Sequence, residues 1–284
     1  MAKAFSVQAT IASFGGNLLK LEHNATSTGS TMKLNLFLPA QAEKGKVPVI
    51  FYLAGLTCTG DNGAEKGFFQ ATASTHGIAI VYPDTSPRGL GVQGEDESWD
   101  FGTGAGFYLD ATKGPYSAGY KMSSYITKEL PIALYGQFEN LDSSRVSIMG
   151  HSMGGHGALT LFLRNPGMFK SVSAFAPISN PKNCPWGQKA FGGYLKSEDE
   201  YDDWDATELI KKWGGDFEAL IDVGDADNFY KHGQLLPENF IEAAKSKGKA
   251  DKIDLRIQKG YDHSYFFIST FSEDHVNYHA KRLL

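Results

Sequence analysis

Residues 145–165 read RVSIMGHSMGGHGALTLFLRN. The run 146–149 is short, apolar and β-like, the chain breaks at Gly150-His151-Ser152-Met153-Gly154, and a helix with an apolar face carrying Ala158, Leu159, Leu161 and Phe162 follows. Strand, tight turn and helix in that order are the setting in which G-x-S-x-G forms a nucleophile elbow. The serine then occupies a strained corner, and the glycines on either side let strand and helix approach closely. A pattern with three fixed positions also arises by chance, and Gly-Ser clusters are ordinarily loops. The flanking strand and helix decide for the elbow, so Ser152 is the candidate nucleophile. A serine at its free pKa is a weak nucleophile, and a base held by a third group is required.

Outward from this motif, residues 5–11, 17–24 and 33–38 alternate apolar and polar positions, as antiparallel strands with one wet face do. Residues 48–53 are continuously apolar, the pattern of a strand covered on both faces. Apolar strands at 78–82, 171–175 and 219–223 alternate with helical stretches at 64–75, 122–138 (interrupted by Pro131), 238–245 and 265–282; the strand at 253–258 alternates and belongs near the sheet edge. Repeated βα units of this kind give an α/β fold. The expectation is a mostly parallel sheet of about eight strands with antiparallel N-terminal strands and helices on both faces, forming one domain over residues 1–284. Residues 84–119 show no periodicity, which marks a functional loop or a misassigned element. Within them Gly89, Gly91 and Gly94 match G-x-G-x-x-G, but the motif does not sit between a strand and a helix, so no dinucleotide follows from it.

A hydrophobic fraction of 42%, a net charge of -5 and a pI near 5.9 describe an ordinary globular chain. They argue against nucleic acid or an anionic membrane as partner, both of which reward clustered Lys and Arg. The N-terminal stretch lacks the apolar core of a secretory signal, and no run approaches membrane-spanning length. Cys58 and Cys184 make no disulfide framework, which suits a reducing cytoplasm and leaves the sequon at Asn24 idle.

In α/β hydrolases the nucleophile, acid and histidine come in that chain order. Of the histidines after Ser152, His156 lies one turn along the same helix, where it would pack or cap. His275 and His279 are spaced i, i+4 as a surface or packing pair, or at most a weak metal pair. His263 follows the last strand, in the loop Lys259-Gly260-Tyr261-Asp262-His263-Ser264, and is the candidate base. The preceding strand runs into Gly224-Asp225-Ala226-Asp227-Asn228; Asp227, deepest in the loop, is the candidate acid, with Asp225 in reserve. Asp262 reads as a loop cap. The oxyanion donors are expected to be the N–H groups of Met153, after the nucleophile, and Leu56, freed by Gly55 in the loop after the strand at 48–53.

With these parts placed, the chain resembles the S-formylglutathione hydrolase family, also called esterase D. The resemblance rests on runs over nearly the whole length: Gly55-Leu56-Thr57-Cys58-Thr59, residues 82–89 (YPDTSPRG), Asp100-Phe101-Gly102 through Gly106-Phe107-Tyr108, residues 150–158 (GHSMGGHGA), residues 186–191 (WGQKAF) and residues 260–265 (GYDHSY). It implies hydrolysis of S-formylglutathione to glutathione and formate in formaldehyde detoxification, with side activity on small esters. It carries the nucleophile, acid and base onto Ser152, Asp227 and His263 and the oxyanion hole onto Leu56 and Met153, and it implies that Cys58 lies close enough to the site for thiol reagents to inhibit. One departure is a longer, more charged stretch at 245–254, between acid and base, which a surface loop has to absorb.

The mechanism needs no cofactor and no metal, and the partner is a small-molecule glutathione thioester; a homodimer is the assembly allowed for. Trp99, Phe107, Tyr108 and Trp186 are available to wall a tight acyl pocket, Trp186 foremost, although buried aromatics are more often core. Arg88, Lys113 and Lys121 are the cations available to the carboxylates of glutathione. A broad carboxylesterase or an acyltransferase would share the whole triad. A binding module on this scaffold would usually have lost one of its members.

Overall fold

The structure is a computed structural model, and it describes residues 3–284. A nine-stranded sheet, one strand more than expected, runs in the order β1-β2-β3-β5-β4-β6-β7-β8-β9. The first three strands, β1 (Phe5–Ser13), β2 (Gly16–Ala25) and β3 (Ser30–Leu38), pair antiparallel, and β3 joins β5 (Ala79–Pro83) in the same sense. From β5 onward the pairing is parallel through β4 (Val47–Leu53), β6 (Leu141–His151), β7 (Val172–Phe175), β8 (Ala219–Gly224) and β9 (Ile253–Gln258). Every residue of β4 is buried, as its unbroken apolar run requires, whereas the edge strand β9 alternates.

Helices cover both faces. The expected helix at 64–75 is two, α1 (Gly60–Lys66) and α2 (Phe69–His76), because Phe68 between them adopts a left-handed backbone. Residues 122–137 are helical throughout: α3 (Met122–Ser124), a π-helical turn (Tyr125–Glu129) and α4 (Leu130–Gln137). The widened turn precedes Pro131, whose ring clashes with the carbonyl four residues back in a regular helix. The elbow helix is α5 (Met153–Arg164). Sequence periodicity missed α6 (Pro185–Tyr194), α7 (Ala206–Lys212) and the single turn α8 (Asn228–Lys231). The last two helices are α9 (Pro237–Lys245) and α10 (Tyr265–Leu283). Helices α2 and α10 pack on one face, and α5, α7 and α9 form the other layer.

Residues 84–119 are an ordered loop layer with short bridges between Ser98 and Phe101, Gly102 and Ala105, and Asp110 and Lys121. Gly89, Gly91 and Gly94 all have positive φ within it and introduce no helix, so the dinucleotide pattern is a chain of turns.

Candidate active site

The C-terminal ends of β4, β6, β8 and β9 lie along one edge of the parallel half of the sheet, with β7 between β6 and β8, and each delivers one part of the site. At the end of β6, Ser152 has φ 57° and ψ -117°. A serine in the N-cap position usually turns its oxygen onto the first free N–H groups of its helix; Ser152 makes no such bond. Its backbone is fixed instead, the N–H donating to Phe175 O at 2.9 Å and the carbonyl accepting from His156 N at 2.9 Å and Ile178 N at 3.2 Å. Backbone strain of about 1–3 kcal/mol persists only when the surroundings over-determine it, as these three bonds do. The motif glycines are steric necessities. A Cβ on Gly150 would lie 2.1 Å from Gly154 O, and one on Gly154 would lie 2.0 Å from Leu53 O.

At the end of β8, Asp227 is wholly buried and caps α8, its Oδ1 accepting from Phe229 N at 2.7 Å and Tyr230 N at 3.3 Å. Its Oδ2 lies 2.6 Å from His263 Nδ1. An ionised carboxylate only accepts, so Nδ1 carries the proton and Nε2 is left as the free base. Asp225 does not reach the histidine; it is exposed, and its Oδ1 accepts from Gly260 N at 2.6 Å. Asp262 holds the loop before α10, accepting from Ser264 N at 3.0 Å and Ser264 Oγ at 2.7 Å, while Ser264 itself caps the helix. The His263 side chain is 16% exposed, with the centre of the near-perpendicular Phe229 ring 4.8 Å and that of the His151 ring 4.5 Å from its own.

The loop after β4 presses against the elbow. A Cβ on Gly55 would lie 3.2 Å from both Ser152 Cβ and His151 Nδ1. Among the described residues neither the Leu56 N–H nor the Met153 N–H donates to a protein acceptor, so both remain for a ligand oxygen. The far side of this loop is tied down: Thr57 N donates to Gly104 O at 2.9 Å, and Cys58 O accepts from Thr85 Oγ1 at 2.5 Å and Arg88 Nη2 at 3.2 Å. Cys58 is half-buried three residues from Gly55, and burial raises the pKa of its thiol, which favours the unreactive protonated form.

Of the expected pocket aromatics, Trp186 stands 4.6 Å from Phe229, which itself faces His263, while Trp99 packs on Trp186 at 5.7 Å and is 55% exposed. Phe107 and Tyr108 do not wall a pocket. Both are fully buried and brace the elbow from inside: Tyr108 Oη donates to Ala54 O at 2.8 Å, and Phe107 O lies 3.0 Å from His156 Nε2. His156 is thereby a packing residue, with burial lowering its pKa to about 4. The three candidate cations are engaged within the protein, Arg88 with Asp84 at 2.8 and 2.9 Å, Lys113 with Gly192 O at 2.7 Å and Lys121 with Ala111 O at 2.6 Å. Phe229 was missed by the sequence reading; its place two residues after Asp227 was the available signal.

The Esterase family model matches residues 25–278. An S-formylglutathione hydrolase of Mus musculus is 51% identical over 272 residues, 95% of either chain. One of Arabidopsis thaliana is 49% identical, covering 100% of this chain and 99% of its own. The solved structure of an S-formylglutathione hydrolase from Agrobacterium tumefaciens has a TM-score of 0.93 at 46% identity, over 98% of this chain and 100% of that one. The chain belongs to the S-formylglutathione hydrolase family of esterases.

A second serine–histidine–aspartate set lies within the same sheet. His275 and His279 are not a surface pair: both are fully buried where α10 crosses β7 and β8. Burial would raise the Asp222 carboxyl, but bonds from Arg256, His275 and Gln258 outweigh it and hold it at about 2. Asp222 is therefore an obligate acceptor, and this orients everything attached to it. His275 Nε2, 3.1 Å away, donates to it, so His275 Nδ1 accepts from Ser173 Oγ at 2.8 Å. Ser173 in turn accepts from His279 Nε2 at 2.8 Å, and His279 Nδ1 accepts from Ser171 Oγ at 2.7 Å. Ser147, 2.7 Å from Ser171, closes the series. Both rings are neutral Nε2–H tautomers, their pKa values lowered chiefly by burial.

Proposed function

We propose that the protein hydrolyses S-formylglutathione to glutathione and formate through an acyl-enzyme on Ser152. The observation that carries this reading is the buried Asp227 carboxylate at 2.6 Å from His263 Nδ1, together with an elbow serine whose hydroxyl is not spent on its own helix. Kinship with S-formylglutathione hydrolases over the full chain supports the substrate.

In the first half-reaction the Ser152 oxygen attacks the formyl carbon while His263 Nε2 takes its proton. Asp227 holds the imidazole tautomer and stabilises the imidazolium. The oxyanion is received by the N–H groups of Leu56 and Met153, each contributing about 3 kcal/mol. The carbon–sulfur bond then breaks, and the thiolate of glutathione leaves with the proton from His263. In the second half-reaction water gives its proton to His263 and attacks the formyl ester, releasing formate and restoring the serine. Trp186, through Phe229, narrows the space beside the base, which suits the smallest of acyl groups.

We place the protein in the cytoplasm. Among the described residues no helix is long and apolar enough to cross a membrane, and Cys58 and Cys184 are both free, as a reducing compartment keeps them. Every group in the mechanism comes from one chain, so assembly as a homodimer would leave the chemistry unchanged.

The test is turnover of S-formylglutathione beside butyryl esters and alternative acyl acceptors, with Ser152→Ala as control. Wild type is expected to prefer the formyl thioester, and the variant to lose on the order of 10⁵-fold or more in kcat. Equal turnover of bulky esters would favour a broad carboxylesterase, transfer to the acceptor an acyltransferase, and full activity in the alanine variant would remove Ser152 from the mechanism.

A further inference from the structure

Among the described residues, His151 alone has both ring nitrogens buried with no hydrogen-bond partner. A neutral imidazole carries one donor and one acceptor, and leaving both unmet in a dry environment is unfavourable, whereas an apolar side chain of similar volume would not incur that penalty. The one polar approach of the His151 ring, to the backbone of His263, falls short of a hydrogen bond, so the ring contributes something else. Its surroundings indicate what. Its centroid lies 4.5 Å from that of His263 at an interplanar angle of 47°, and 6.1 Å from that of Tyr265. Gly55 of the loop after β4 lies beside it, where an added Cβ would sit 3.2 Å from its Nδ1. With Phe229 set edge-on at 4.8 Å and Asp227 bonded to Nδ1 at 2.6 Å, the His263 ring has three fixed neighbours.

We propose that His151 is a positioning residue for His263: its uncharged ring forms a rigid aromatic wall that holds the base in register with Asp227 and presents a π face to the imidazolium formed twice in each turnover. The role rests on the triad reading above. A cation within about 6 Å of an aromatic face is attracted to it, and a second cation at that distance would be repelled. Burial, reinforced by His263, keeps His151 in its neutral form, well below the ordinary histidine pKa. The titratable groups facing His263 are Asp227 from the β8 loop, His151 from β6 and Asp262 beside it; Tyr265 of α10 faces His151. None of these supplies a competing positive charge.

The test compares His151→Leu, which keeps the site apolar without a π face, with His151→Phe, which restores one. Assays with S-formylglutathione are run across pH, with His263→Ala alongside. His151→Leu is expected to lower kcat by about tenfold to a hundredfold, the effect of a displaced catalytic group, with KM nearly unchanged. Its acid limb of kcat/KM should move to lower pH as the imidazolium loses support. His151→Phe should recover kcat to within about threefold. The downfield NMR resonance of the His263 Nδ1 proton should broaden in the leucine variant and sharpen again in the phenylalanine one, a readout that overall folding does not mimic. Unchanged kcat and acid limb in His151→Leu, a change in KM alone, or equal loss in both variants of native melting temperature would each overturn this role. Activity surviving in His263→Ala would overturn the triad reading, and this role with it; activity lost there but intact in His151→Leu would overturn this role alone.

Discussion

Ser152, His263 and Asp227 at the edge of the sheet, and Ser173, His275 and Asp222 inside it, are built from the same three side-chain types. In the buried set the serine oxygen is 2.8 Å from the imidazole, and the imidazole is 3.1 Å from the carboxylate. That proximity confers no reactivity. Ser173 lies in a regular strand, and its oxygen both donates to His275 and accepts from His279, so its hydrogen-bonding capacity is committed. Ser152 occupies a corner with φ 57°, makes no capping bond, and has unpaired N–H groups beside it. The buried histidine has no exposed surface, whereas His263 keeps 16%. A nucleophile is thus distinguished by backbone geometry, uncommitted donors and access, more than by which side chains touch.

The contrast is broken most forcefully at the carboxylates. Asp227→Asn should reduce kcat by about 10⁴-fold by permitting the wrong tautomer. Asp225→Asn, which only loosens the bond to Gly260, should leave kcat close to wild type. Steady-state kinetics of the pair reads this directly, and similar losses in both would mean that the acid is misassigned.

At the buried serine the expected effect is on stability. Ser173→Ala leaves His275 Nδ1 and His279 Nε2 without a partner, at about 1–3 kcal/mol. A melting temperature lowered by several degrees with unchanged kcat would separate the two sets; a large fall in kcat at full stability would show that they are coupled.

The most gradual effect is on acid stability. His275 and His279 have folded pKa values below that of a free histidine, so the unfolded chain binds protons first as pH falls, and the folded state loses ground below about pH 6.5. Each contributes a slope of about 1.4 kcal/mol per pH unit there. Asp222, held at about 2, adds stability that is present above the ordinary carboxylate range and lost only as pH falls toward its folded value. Denaturant unfolding between pH 7 and 5 should show the decline, and His279→Gln should flatten it by one histidine's share. An unaltered slope would mean that His279 is not held neutral.

The elbow was legible because its pattern is local: strand, glycines and helix are contiguous, and Gly150 faces the backbone of Gly154. Asp227 and His263 could be chosen because chain order and loop position place them at one edge. The histidines of α10 were not legible. Helical spacing reveals that His275 and His279 share a face, but not that Ser171, Ser173 and Asp222 on neighbouring strands stand opposite it, which depends on sheet order. Phe107 and Tyr108 were misjudged for a related reason, since a loop without periodicity carries no sign of which face is inward. Helices α6 and α7 escaped because buried aromatics and a buried aspartate cap, rather than an apolar stripe, fix them in place.

The loops that carry Asp227 and His263 are joined to each other directly. Asp225 N donates to Gln258 O at 3.1 Å, Ala226 N to Tyr261 O at 3.0 Å and Gly260 N to the Asp225 carboxylate at 2.6 Å. The intervening chain therefore does not set the distance between acid and base. Its exposed turn at 245–249 bends through Gly248, around which an added Cβ would meet nothing. That turn is a permissive insertion point, where an affinity tag or fluorescent reporter could be grafted without disturbing turnover.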